Sequence, residues 1–116
     1  MTQDTQVIMA EARVAAREEA QGLLDSWYGG QDMGACGFAW VTVQPQHKGN
    51  TKAGREERKV LREMGFELDW TGKAFQWWNP SGLAVQNVDS LRAGAIAASK
   101  VLAKYGFKAY ANSRLD

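Results

Sequence analysis

The sequence predicts an α+β fold in which four strands form one antiparallel sheet, two helices cover one of its faces and a further helix precedes them. Three observations carry this. From Cys36 onward the segments read strand, helix, strand, strand, helix, strand, and the two most apolar strands hold the places that become central in such a sheet. Glycine or proline also stands at most of the segment ends, where chain reversal is needed.

Residues 5–28 place Met9, Ala12, Ala16, Ala20, Leu23 and Trp27 at steps of three and four, with Arg13, Arg17, Glu18, Gln21 and Asp25 elsewhere around the turn. That is an amphipathic helix, closed by Gly29 and Gly30. Its middle seam is alanine, so whatever packs there must come close. Cys36 to Gln44 then alternates Phe38, Trp40 and Thr42 with Ala39, Val41 and Val43, a strand apolar on both faces and therefore expected at the sheet centre. Pro45, which lacks the amide hydrogen a ladder needs, should end its pairing.

Thr51 is placed to cap a second helix running to Met64, with Ala53, Val60, Leu61 and Met64 inward and Gly65 as its stop. Phe66 to Trp70 and Ala74 to Asn79 read as a hairpin turning at Thr71-Gly72, which would set Leu68 opposite Phe75 and Phe66 opposite Trp77. Asn79-Pro80-Ser81-Gly82 is a turn. Asp89 is the expected cap of a third helix that carries Leu91, Ala95, Ala98, Val101, Leu102 and Tyr105 inward. Gly106 closes it and Phe107 to Asn112 is the last strand, with the Ser113–Asp116 tail read as a frayed end.

Two right-handed strand-helix-strand halves make this the ferredoxin-like βαββαβ sandwich with strand order 4-1-3-2 over residues 36–113, in one domain with the helix at 5–28. A chain of 116 residues suits a single core. An apolar fraction of 45% with five tryptophans is too hydrophobic for a disordered chain. Net charge of +1 is too small to draw polyanions without local clustering. Neither the lone Cys36 nor the single His47 can complete a disulfide or a Cys/His zinc set, so no metal or cofactor is expected and the compartment is expected to be reducing, hence cytoplasmic. Asp4, Glu11, Arg13 and Arg17 interrupt the N-terminal segment as no signal peptide would allow, and the run Ala93 to Ala98 is far below the roughly 20 residues of a membrane span.

In this topology the sheet face away from the helices should carry Phe38, Trp40, Trp78, Lys108 and Tyr110, with Thr42, Gln76 and Asn112 among them. So large an aromatic area calls for a cover: the N-terminal helix, a second copy of the chain, or a ligand. Protein is favoured over ligand, because burial of one large aromatic is worth roughly 2–3 kcal/mol and several lie together. Aromatics on the first and third strands also invite comparison with RNA-recognition modules, but the glycine-phenylalanine signature of such modules is missing and the net charge is nearly neutral.

A second candidate site lies at one end of the sheet, where His47, Lys48, Gly49, Asn50, Thr51 and Lys52 open a helix and Lys73 comes from the hairpin. Free amide hydrogens and the helix dipole favour an anion there, although helix capping with solvated lysines accounts for the same residues. Gly49 to Arg55 has arginine where a nucleotide-binding loop needs lysine followed by serine or threonine. Cys36, read as a small buried residue, and His47, read as a loop residue, stand at opposite ends of one strand, roughly 35 Å apart at full extension, and cannot act as nucleophile and base together.

Three stretches, Cys36-Gly-Phe-Ala-Trp-Val, Lys73-Ala-Phe-Gln-Trp-Trp-Asn-Pro-Ser-Gly and Ser113-Arg-Leu-Asp, with Lys48-Gly-Asn-Thr between them, resemble a group of small proteins encoded by double-stranded DNA phages. The likeness covers most of the chain after Met33. It implies a virus-encoded cytoplasmic protein and brings no activity with it. The expectation is a non-enzymatic binding protein, a homodimer or the binder of another protein, off the membrane. Single-stranded nucleic-acid binding through Trp40, Trp78 and Tyr110 is the first alternative, and an enzyme using Lys48, Lys73 and His47 on a phosphorylated substrate is the second.

Overall fold

Short polar side chains set where the three helices begin. The carboxylate of Asp4 accepts the Gln6 amide, the Thr51 hydroxyl accepts the Gly54 amide, and Asn87 Oδ1 accepts the Ser90 amide, each satisfying a donor that the first helical turn leaves without a partner. In the computed structural model, which describes residues 4–116, these caps open α1 (Thr5–Tyr28), α2 (Lys52–Met64) and α3 (Val88–Lys104). The first two stop at Gly29 and Gly65, both in the left-handed conformation.

Between them run β1 (Gly37–Gln44), β2 (Glu67–Leu68), β3 (Phe75–Trp78) and β4 (Lys108–Leu115). Every pairing is antiparallel and the order is β2-β3-β1-β4, the ferredoxin-like arrangement expected from the segment order. Register assigns the faces: Val41 lies opposite Trp77 and Ala111, and Val43 opposite Phe75 and Ala109. These odd-numbered residues meet Leu61 and Met64 of α2 and Leu91, Ala95, Ala98 and Leu102 of α3 in one apolar core.

The N-terminal helix packs on its own chain. Ile8, Met9, Ala12 and Ala16 belong to the same core, and α1 lies along α3 on the helical side of the sheet. The alanine seam is what permits this. A Cβ added at Gly94 would stand 3.0 Å from the Ala16 carbonyl oxygen and 3.3 Å from the Ala20 Cβ, so the two backbones are nearly in contact. At the far end the ammonium of Lys104 and the hydroxyl of Tyr105 both donate to the Glu11 carboxylate. The bond from Lys104, then that from Tyr105, holds the Glu11 carboxyl below its usual range against a smaller opposing effect of burial.

Several local expectations are corrected. Asn87, not Asp89, caps α3, because the Asp32 carboxylate takes the Gln86 and Asn87 amides and folds the preceding loop so that Asn87 meets Ser90; Asp89 accepts the Tyr28 hydroxyl at 2.8 Å instead. The hairpin keeps the expected register, with Leu68 opposite Phe75, but turns over four residues, Trp70 to Lys73. The Asp69 carboxylate closes that turn by accepting the Thr71 amide and hydroxyl, work that a two-residue turn has no room for.

Strand β2 is correspondingly short, and Leu68, expected in the core, is 47% exposed at the sheet margin. Cys36 is exposed rather than buried, standing one residue before β1 at the end of the sheet, and its thiol donates to Gln86 Oε1 at 3.4 Å. The tail expected to fray is instead the end of β4, with Leu115 opposite Gly37 and the Asp116 amide bonded to the Cys36 carbonyl. Among the described residues no helix is long and apolar enough to cross a membrane, and no cluster of three or more His, Cys, Asp or Glu could hold a metal ion.

Candidate functional site

Because directly opposed residues point to the same side, register also lays out the other face of the sheet, row by row. Phe38 pairs with Arg114; Trp78, Trp40 and Asn112 form the next row; Glu67, Gln76, Thr42 and Tyr110 the next; Gln44 and Lys108 the last, level with the Asp69–Ala74 bond of the hairpin. All five residues expected on this face, Phe38, Trp40, Trp78, Lys108 and Tyr110, point outward on it.

The face is uncovered. Phe38, Trp78 and Tyr110 retain 39%, 40% and 45% of their exposure, since α1 is committed to the opposite side. Trp40 and Trp78 stack on one another with ring centres 4.6 Å apart and planes 26° from parallel, while Phe38 and Trp78 form a T-shaped pair with ring centres 6.1 Å apart. The Arg114 guanidinium lies 5.4 Å from the Phe38 ring centre. Polar neighbours are tied to one another: Gln44 Nε2 donates to the Tyr110 hydroxyl, and Asn112 Nδ2 donates to Thr42 Oγ1 at 2.7 Å.

Two members of this surface escaped sequence reasoning. Arg114 belongs to it because β4 keeps alternating past Asn112, a pattern readable in the sequence had the tail not been taken as loose. Trp70 stands in the hairpin turn, 94% exposed, and lines a shallow depression of about 440 Å³ with Trp40, Trp78 and Tyr110. The sequence carries no signal for it, since Trp70 reads there as the last residue of a strand and its exposure follows from the wider turn.

Charge is not spread evenly over the rows. Glu67 and Asp69 stand at the β2 margin and Lys108 and Arg114 on β4 at the other, where Asp116 follows the strand, with uncharged residues between the two margins. Burial pushes the Asp69 carboxyl up, but hydrogen bonds from Thr71, Ala74 and Lys73 outweigh it and hold the group below its ordinary value. Asp69 therefore carries its charge throughout the neutral range.

The residues of the expected anion site fall into one segment and one outlier. His47, Lys48, Gly49, Asn50, Thr51 and Lys52 form the turn leading into α2, and the His47 and Thr51 amides and the Thr51 hydroxyl donate within the chain. Glu57 accepts the Gln46 and His47 amides at 2.7 and 3.0 Å, and the Thr51 hydroxyl donates to the Lys48 carbonyl at 2.6 Å while accepting from Gly54. Gly54 must be glycine there, since an added Cβ would stand 1.7 Å from the Lys48 oxygen. Lys73 lies in the hairpin turn, and among the described residues no hydrogen bond or ion pair joins it to that segment. The hollow beside His47, about 510 Å³, is walled by Val60, Leu61 and Phe107 and rimmed by Glu56 and Glu57 rather than by Lys48, Lys52 or Lys73. Cys36 and His47 remain at opposite ends of β1. Compared with known proteins, the chain matches no family model, no curated protein and no solved structure.

Proposed function

We propose that this protein acts without catalysis, as a binding module whose working surface is the open sheet face, and that what it takes up there is another folded protein surface. One observation carries the reading: the chain spends its extra helix on the side already covered and leaves Phe38, Trp78, Tyr110 and Trp70 exposed together on the other. Clustered exposed aromatics flanked by an arginine are the usual composition of interface anchors.

The same geometry weighs against nucleic acid. Trp40 and Trp78 each spend one ring face on the other, which leaves each at most one face for a base, and Glu67 and Asp69 oppose a phosphate backbone along one margin. An anion at His47–Lys52 is disfavoured because the carboxylate of Glu57 already occupies the Gln46 and His47 amides at the mouth of the turn.

Site-specific photo-cross-linking tests the proposal. A photoreactive phenylalanine at Tyr110 should give protein adducts of defined mass, resistant to nuclease, whereas the same group at Lys59 on the outer side of α2 should give none. Equal labelling from both positions, or adducts from Tyr110 that nuclease removes, would overturn it.

A further inference from the structure

The charge rows allow the partner to be named by its chemistry. Resting on the reading that the open face binds protein, we infer that its occupant is a second copy of this chain, seated face to face about a two-fold axis that runs parallel to the strands. Such an axis lies between the two sheets, reverses their left and right margins and preserves the direction along the strands. The β4 margin of each copy then lies over the β2 margin of the other, which brings Lys108 toward Glu67 and Asp69 twice.

The competing face-to-face axis, perpendicular to the strands, would lay β4 on β4 and set Lys108 and Arg114 of one copy against those of the other. Like charges would meet on the β2 margin, Glu67 and Asp69 against their counterparts, while on the β4 margin Asp116 stands among Lys108 and Arg114. Both axes leave the strands of the two sheets aligned, so it is the charged margins that select between the arrangements.

The paired strands alone outline a small contact: their 2, 4, 8 and 8 residues at about 3.3 Å each and about 4.8 Å spacing give roughly 350 Å² per copy, so about 700 Å² in all, the size of a weak interface that residues outside the strands must widen. Trp70 adds to it. It projects from the hairpin at the β2 side and at the level of Lys108, so in this arrangement each Trp70 meets the start of the other copy's β4, where an ammonium over an indole is favourable.

Sedimentation equilibrium of the full chain from low to several hundred micromolar tests the inference, with Tyr110→Glu, Lys108→Glu, Glu67→Lys and the Lys108→Glu/Glu67→Lys pair. These are exposed positions, and thermal unfolding checks that each variant folds. The expected result is a dimer that Tyr110→Glu abolishes, that either single charge reversal weakens at least roughly tenfold, and that the double reversal restores. A monomer at every concentration would overturn it. So would a dimer indifferent to Tyr110→Glu, which would point to edge pairing through β4, or a double reversal no better than the singles. If the chain is monomeric while Tyr110 still cross-links to a different protein, self-association falls and the binding face stands; if Tyr110 cross-links to nothing, both fall.

Discussion

At the scale of single residues, a few side chains hold loops that no periodic pattern describes. Asn87 is 1% exposed and works in two directions, accepting the Ser90 amide and donating to the Met33 carbonyl. Asn87→Ala would leave a buried helix-start donor without its cap, and chemical denaturation should show a loss of about 1–3 kcal/mol. Asp69 holds the hairpin turn in the same manner. Its carboxyl is depressed in the folded chain, so the stabilisation it supplies is present above the unfolded value and is lost as pH falls through the folded one. Amide exchange at Thr71 and Ala74 should therefore accelerate at acid pH, beyond its intrinsic pH dependence and below the ordinary aspartate range. Asp69→Asn should remove that acid step and leave the rest of the sheet unchanged. An acid step that persists in the variant would assign it to another group.

At the scale of elements, α1 and α3 approach closely because Ala12, Ala16 and Ala20 face Gly94 and its neighbours. Ala16→Leu would force a large side chain between two backbones that have no room to part without disturbing the core, and a cost of about 1–3 kcal/mol is expected in denaturant unfolding. The alanine seam was readable as a demand for a close neighbour, but not which neighbour, because small residues announce proximity and carry no information on identity. Hairpin register was readable for the converse reason: a shift by one residue would have turned Phe66 and Phe75 out of the core. The turn between those strands was not, since a carboxylate bridging three donors depends on positions that neither propensity nor period reports.

Across the whole molecule, the two faces of the sheet differ in what they contribute. Phe75 is fully buried and the centre of the core, and Phe75→Ala should cost about 3–5 kcal/mol of global stability. Tyr110, 45% exposed on the open face, should shift stability by no more than about 0.5 kcal/mol on replacement by alanine. Thermal unfolding of the two variants side by side, at a concentration where the chain is monomeric, checks the contrast; comparable losses would mean that the open face supports the fold rather than binding.

Alternation, proline and glycine placement, and the apolarity of β1 and β3 were enough to order the strands and to divide Val41 and Phe75 from Trp40 and Trp78, because those features are local and the sheet repeats every two residues. The route of α1 and the placing of Glu67 and Asp69 at one margin and Lys108 and Arg114 at the other emerged only in three dimensions. Each depends on which distant segments lie side by side. Packing settles that, and a linear chain with one apolar stripe on its first helix and two apolar sheet faces to cover leaves more than one way to do it.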